Sequence, residues 1–91
     1  MEFEWDDEKA MANALKHQVT FDEAKTVFDD PLFVDFFDPE HSLEENRFLL
    51  AGSSRTGRLL IVSYAERGEK MRLISAREMT RSERRDYQER N

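Results

Sequence analysis

The sequence contains no cysteine, which excludes disulfide bonds, thiolate zinc sites and a cysteine nucleophile together. Its three glycines do not form a glycine-rich phosphate-binding loop. The two histidines, His17 and His41, stand apart and lack the ligand spacing of a metal site. No nucleophile elbow accompanies them, so a Ser-His-Asp arrangement has no support. We therefore expect no metal ion and no cofactor.

Long apolar runs are also missing, and the longest are too short to cross a bilayer. Residues 1–9 are acidic and lack the apolar core of a signal peptide, which favours a cytoplasmic location without a membrane partner. At 91 residues, 38% hydrophobic and 37% charged, the chain is expected to form one domain over residues 1–91. Its seven phenylalanines argue against disorder, because disordered chains are poor in aromatic residues.

The charge is distributed unevenly along the chain, although the net charge is −6. Residues 1–46 carry fourteen acidic and three basic side chains, whereas residues 47–91 carry six acidic and eleven basic ones. Ten of these eleven are arginines, whose planar guanidinium suits phosphate. The second half is therefore expected to face an anion, either RNA phosphate or the acidic face of a protein partner.

Two helices are predicted in the acidic half. The first begins after Asp6 and has a weak apolar stripe formed by Met11, Ala14 and Leu15. The second begins at a capping box, in which Thr20 and Glu23 have the required spacing. It is expected to end before Pro31.

Aromatic and β-branched residues predict strands over residues 32–37, 47–53, 58–65 and 70–77, with a short edge strand at 3–5. Short turns join the last three strands, and such strands form an antiparallel meander. A second capping box, Thr80 with Glu83, opens a C-terminal helix. The expected fold class is α+β, with two N-terminal helices, an antiparallel β-meander of three to four strands and a C-terminal helix.

The alternation of side chains along the last strand assigns its arginines to faces. Arg72 shares a face with Ile74, while Met71 and Leu73 share the other. Arg77 falls on the face of Met71 and Leu73 unless the strand ends or bulges before it.

Helical spacing places further arginines on one side of the C-terminal helix, near Tyr87; these are Arg81, Arg84 and Arg85. As a set, these residues and the strand arginines favour a surface that meets an anion. For each arginine taken alone, a salt bridge to the acidic half is the favoured interpretation.

If the anion is RNA phosphate, the candidate chemistry is RNA cleavage without a metal ion. A general base removes the 2′-OH proton, the oxygen attacks the adjacent phosphate, and arginine stabilises the added charge. The 2′-OH restricts such an enzyme to RNA. His17, a carboxylate or Tyr87 can handle the proton, although His17 fits a structural residue at a helix end equally well.

Two groups of residues carry a resemblance to a known family. The first is Trp5-Asp6 followed by Lys16-His17, and the second is Ile74-Ser75-Ala76-Arg77. Further matching residues lie between and after these groups, at 19–31, 57–62 and 83–87. Taken in this order, the residues resemble the BrnT family of bacterial toxins over nearly the whole chain.

The resemblance implies a RelE-like fold and a ribonuclease that is the toxin of a type II toxin–antitoxin pair. It implies an antitoxin partner, BrnA, that binds DNA, blocks the toxin and represses the shared operon, and a toxin dimer held by two antitoxins. It also implies a set of candidate catalytic residues by their positions, among which it does not assign the acid and the base. These are Arg58, Arg67, Arg72, Arg77, Tyr87, Lys9 and His17. Arg81, Arg84 and Arg85 are then the candidate substrate-binding residues.

This chain departs from the family pattern at two points. Gln18 stands where the family has glycine, at the expected left-handed end of the first helix. The chain is also acidic overall, with a pI of about 4.9, whereas many toxins of this type are basic. Two alternatives therefore stay open: a non-catalytic antitoxin-binding module in an operon-repressing complex, and a structural domain whose charges pair internally.

Overall fold

The structure is a computed structural model that describes residues 1–90. It consists of a five-stranded sheet with helices on both faces. Its elements in chain order are β1 (Glu2–Glu4), α1 (Asp7–His17), α2 (Phe21–Ala24), a 3-10 helix (Lys25–Asp29), β2 (Val34–Phe37), a second 3-10 helix (Pro39–His41), β3 (Arg47–Ser53), β4 (Leu59–Arg67), β5 (Lys70–Glu78) and α3 (Arg81–Arg90).

The strand order across the sheet is β1-β5-β4-β3-β2. The predicted meander is confirmed, because β2 to β5 pair antiparallel with their neighbours in sequence. The meander has four strands, and the fifth strand of the sheet is the short edge strand predicted near the N-terminus, which forms at Glu2–Glu4 and pairs with β5 in parallel. A parallel pairing is available to β1 because the two helices that follow it carry the chain across the sheet.

One face of the sheet, called the core face, packs against α2 and the 3-10 helix after it. Phe21 and Val27 from these helices contact Leu60, Val62 and Leu73 from the sheet, and all five are almost fully buried. Burial of the apolar side chains on the core face is the main force that orders a domain of this size. The opposite side of the sheet is called the second face.

The apolar stripe predicted for α1 is wrong, because Met11 and Leu15 are 69% and 76% exposed. The buried residue of α1 is Asn13, whose amide donates to the carbonyl oxygens of Val19 and Ala76 at 2.9 Å and accepts from the Ala76 N–H at 3.0 Å. Because β1 ends before it reaches Ala76, the Asn13 side chain takes the place of a strand partner there. Helix α1 is therefore fastened by hydrogen bonds at the edge of β5.

Of the two predicted capping boxes, one is complete. Thr80 and Glu83 exchange both hydrogen bonds, at 2.8 and 3.2 Å. Thr20 accepts from the Glu23 N–H at 3.0 Å, but the Glu23 carboxylate bonds to Arg58 instead of returning to Thr20. The two Glu23 carboxylate oxygens are occupied by Arg58, Ser54 and Thr56, whereas one Glu83 oxygen accepts from Arg77 and from the Thr80 N–H at once.

A bulge in β5 decides which face its arginines occupy. Ile74 is the extra residue, since the register of β5 against β4 shifts between Leu73 and Ser75. Leu73 and Ala76 consequently both point into the core, although they are three residues apart. Arg77 therefore lies on the second face, opposite Leu73, which is the exception that the strand pattern allowed for.

Candidate nucleic-acid interface

Basic side chains cluster on the second face near the start of β3 and of β5. Ala65 is the direct strand partner of both Arg47 and Arg72, and its methyl group is fully buried. Arg67 pairs with Lys70 at the neighbouring position. Cross-strand partners have their side chains on the same face, so these four residues (Arg47, Arg67, Lys70 and Arg72) form one basic cluster.

Glu4 and Glu45 form ion pairs with the basic cluster. Glu4 of β1 is the strand partner of Arg72, and its Oε2 lies 3.3 Å from the Arg72 guanidinium. Glu45 lies 3.2 Å from Arg67 Nε and 3.7 Å from Arg47 Nε. Within residues 1–90, Arg47 Nε is buried and has no hydrogen-bond partner. The cluster thus combines cations with carboxylates that can accept a proton, and Arg47 keeps an unused donor.

Helix α3 covers the other half of the second face. Its sequence has no aliphatic residue, and none of its residues is buried. It is held by three contacts at separate points: Glu83 on Arg77, Tyr87 on Asp30, and Arg90 stacked over the Phe36 ring at 5.6 Å. Apolar sheet residues lie beneath it, and they are Val34, Leu49, Ala51 and Ile61.

Arg77 and Tyr87, two of the predicted catalytic residues, are engaged where α3 meets the sheet. Arg77 makes two parallel hydrogen bonds to Glu83, at 2.7 and 2.9 Å, and these lower the pKa of Glu83 to about 2. The Tyr87 hydroxyl donates to Asp30 at 2.9 Å. Partial burial and then this carboxylate raise the pKa of Tyr87 to about 12, so its hydroxyl stays protonated near neutral pH.

Arg58 lies on the core side, away from the basic cluster. Its Nε donates to Glu23 at 3.0 Å, and its second terminal nitrogen donates to the carbonyl oxygen of Gln18 at 2.8 Å. Ser54 and Thr56 donate to the same Glu23 carboxylate. The Arg58 hydrogen bond is the main reason that the pKa of Glu23 falls to about 2. This arrangement fastens α2 to the turn between β3 and β4.

The remaining predicted residues lie on helices. Lys9 is exposed and His17 is half-buried on α1, and within residues 1–90 no hydrogen bond or ion pair joins either of them to the basic cluster. Arg81, Arg84 and Arg85 are exposed and line a shallow cleft on the outer side of α3. The structure therefore brings Arg67 and Arg72 together and leaves Arg58, Lys9 and His17 elsewhere.

Arg47 and Lys70 of the basic cluster and the carboxylate Glu4 were not predicted as site residues. The sequence placed them only on predicted strands. They become candidates once the strand register is known, because Arg47 and Glu4 are each one strand removed from Ala65 or Arg72 and Lys70 is the strand partner of Arg67. Within residues 1–90, no three His, Asp or Glu side chains are grouped as metal ligands. No helix in that range is long and apolar enough to span a membrane.

The fold is that of a known toxin class. The structure is similar to the crystal structure of the Brucella abortus ribonuclease toxin BrnT, with a TM-score of 0.66 over 89% of this chain and 99% of that one, at 20% sequence identity. No match to a curated protein reaches significance.

The family model described as the ribonuclease toxin, BrnT, of a type II toxin–antitoxin system matches residues 5–83. The chain therefore belongs to the BrnT family of ribonuclease toxins. Membership makes it an endoribonuclease with an RNA substrate and a cognate antitoxin.

Proposed function

We propose that this toxin cleaves RNA on the basic cluster without a metal ion and that a BrnA-type antitoxin blocks it. The observation that carries the proposal is the placement of Arg47 and Arg72 on either side of the buried Ala65. Adjacent strands are about 4.8 Å apart, so the two arginines start about 10 Å apart across a small residue. Long guanidinium side chains can close on one phosphate from that separation.

In the proposed reaction, the Glu4 carboxylate, 3.3 Å from Arg72, accepts the proton of the 2′-OH. The 2′ oxygen then bonds to phosphorus while the bond from phosphorus to the 5′ oxygen breaks, which leaves a 2′,3′-cyclic phosphate. The released 5′ oxygen takes a proton from water, and the hydroxide so formed takes the proton from Glu4, which restores the carboxylate. Arg72 stabilises the negative charge that develops on the phosphate oxygens, which is the larger contribution in such sites. Arg67 and Lys70 hold the neighbouring phosphates.

The other predicted residues take roles around this centre. Arg77 and Tyr87 border the site, where their pairs with Glu83 and Asp30 place α3. Arg81, Arg84 and Arg85 extend the positive surface along the RNA. Because Arg58 is committed to Glu23, we assign it to the fold.

The test is cleavage of a single-stranded RNA in EDTA by the wild type, Arg72→Ala and Arg55→Ala. Arg55 is an exposed arginine in the β3–β4 turn and serves as the matched control. We expect the wild type and the control to cleave, and Arg72→Ala to lose about 100-fold or more while keeping the wild-type circular dichroism spectrum. Loss of wild-type cleavage in EDTA, or an active Arg72→Ala, would overturn the proposal.

Inhibition is tested in the host. Expression of the toxin alone should arrest growth, and co-expression of the antitoxin encoded in the same operon should restore it. Growth arrest that persists despite soluble antitoxin would contradict the proposed blocking.

A further inference from the structure

The strand β2 is an open edge of the sheet, and it is unusually apolar for one. Leu32, Phe33, Phe36 and Phe37 are each between 42% and 55% exposed, in or next to a strand of four residues. Phe36 lies on the second face and Phe37 on the core face, so aromatic rings flank the edge on both sides. Edge strands are usually protected by charge or by a cover, and contiguous exposed apolar patches commonly mark interaction sites.

The backbone of β2 is available for pairing. Asp38 donates its N–H to the carbonyl oxygen of Arg47 at 2.8 Å. The backbone N–H and C=O groups of every second residue before it, Phe36 and Val34, therefore also point toward β3. Strand alternation then turns the N–H and C=O groups of Asp35 and Phe37 outward, away from the sheet. An added strand could therefore pair with two N–H donors and two C=O acceptors, those of Asp35 and Phe37, with an aromatic ring on each face of the edge.

The charge around β2 indicates the chemistry of its occupant. Residues 26–46 contain seven Asp or Glu residues and no Lys or Arg. Arg90 reaches the Phe36 ring from α3, and Arg47 and Arg67 reach Glu45, so acidic side chains remain in excess. RNA and a second, equally acidic β2 edge would both be repelled by this surface. A polypeptide that alternates apolar with basic residues would satisfy the edge, the aromatic rings and the charge together.

We propose that a basic, extended segment of the cognate antitoxin adds to β2 as a sixth strand of the sheet. This inference rests on the proposed inhibition by an antitoxin. It places the contact at the edge of the sheet that carries Phe36 and Phe37, whereas RNA cleavage is assigned to Arg72. A variant at β2 should therefore change antitoxin binding without changing cleavage by the free toxin.

The experiment compares Phe37→Ala with Phe37→Pro, using the antitoxin encoded in the same operon as the probe. Both variants lose the ring, but only proline loses the outward N–H, and proline is tolerated at such edge positions. We expect Phe37→Pro to bind the antitoxin about 10-fold more weakly than Phe37→Ala, which is the size of one lost hydrogen bond. Leu43→Ser, at a 94% exposed leucine outside the strand, is the matched control and should bind as the wild type does.

Two further measurements keep the outcome interpretable. RNA cleavage by each free variant should match the wild type, which separates failure of this inference from failure of the proposed function. Hydrogen exchange of the wild-type complex should show new protection at the Asp35 and Phe37 amides, which does not require a folded proline variant. Equal binding of the two Phe37 variants, unprotected amides, or a toxin dimer that Phe37→Pro dissociates would each overturn the proposal.

Discussion

Glu23 and Arg58 form a charged pair that joins α2 to the segment leading into β4, across 35 positions of sequence. Both side chains are mostly shielded from water, at 16% and 30% exposure. Ser54 and Thr56 complete the coordination of the carboxylate. The pair therefore belongs to the framework that holds the sheet against its helices, on the side opposite the basic cluster.

Replacing Arg58 separates this structural role from a catalytic one. Arg58→Ala leaves a partly buried Glu23 carboxylate without its cation, and we expect a loss of about 2 kcal/mol in the free energy of unfolding. RNA cleavage measured well below the lowered melting temperature should remain within about threefold of the wild type. A stable variant with a greatly reduced kcat would restore Arg58 to the catalytic set.

The pH dependence of stability reports on the same pair. The folded pKa of Glu23 is about 2, below its ordinary value of 4.5, so the stabilisation is present above pH 4.5 and is lost as the pH falls towards 2. We expect urea unfolding of the wild type to lose about 2 kcal/mol more than that of Glu23→Gln between pH 6 and pH 2. Glu83 titrates in the same range in both proteins, so the difference isolates Glu23. Parallel pH profiles would contradict this assignment.

Arg47 should contribute to RNA binding through phosphate contact. Arg47→Ala is expected to weaken binding and to reduce the slope of log affinity against log salt by about 0.7, the value for one single-strand phosphate contact. Arg47→Lys should recover the slope but only part of the affinity, because it keeps the charge and loses the planar fork. The control is again Arg55→Ala; an unchanged slope in Arg47→Ala would remove Arg47 from the site.

Glu4 is expected to act as the general base. Glu4→Gln should lower kcat about 100-fold, because an amide cannot accept the proton of the 2′-OH. It should also lower KM, because Arg72 loses the carboxylate that competes with phosphate. Glu2→Gln, on the same strand and the same face, is the matched control. A rise in kcat in Glu4→Gln would show that Glu4 only competes with RNA.

The positions of the strands could be predicted because the sequence pattern of a strand is local. The residues of the site could not, because their grouping depends on how the strands are paired. Residues 47–53 were predicted as a strand and form β3 with those bounds, because an apolar run between turns is sufficient evidence. The face of Arg77 depends on a bulge at Ile74, which involves two strands and leaves no single-strand signal. The basic cluster forms because Ala65 pairs with both Arg47 and Arg72, and predicting it likewise requires the register of the neighbouring strands.

Long-range polar partners explain the other differences. Asn13 serves as the strand partner of Ala76, 63 residues away, and nothing near Asn13 in the sequence indicates this. Glu23 has the spacing of a capping box but bonds to Arg58, whose arrival depends on the folded sheet. Capping rules describe local contacts only: Glu83 keeps its capping bond beside Arg77, whereas Glu23 turns to Arg58, and the difference depends on where the fold places each arginine.

The end of α1 offers a last prediction, because Gln18 adopts a left-handed conformation with φ of 54°. This conformation favours glycine, so we expect Gln18→Gly to raise the free energy of unfolding by about 0.5–1 kcal/mol and the melting temperature by a few degrees. The exposed bond from the Gln18 side chain to the Leu15 carbonyl is lost, but the backbone contacts to Ala14 and Arg58 are kept. Gln18→Ala loses the same side-chain bond without relieving the backbone, so it should be less stable than the wild type. Thermal unfolding in which glycine is no more stable than alanine would show that the backbone at Gln18 is unstrained.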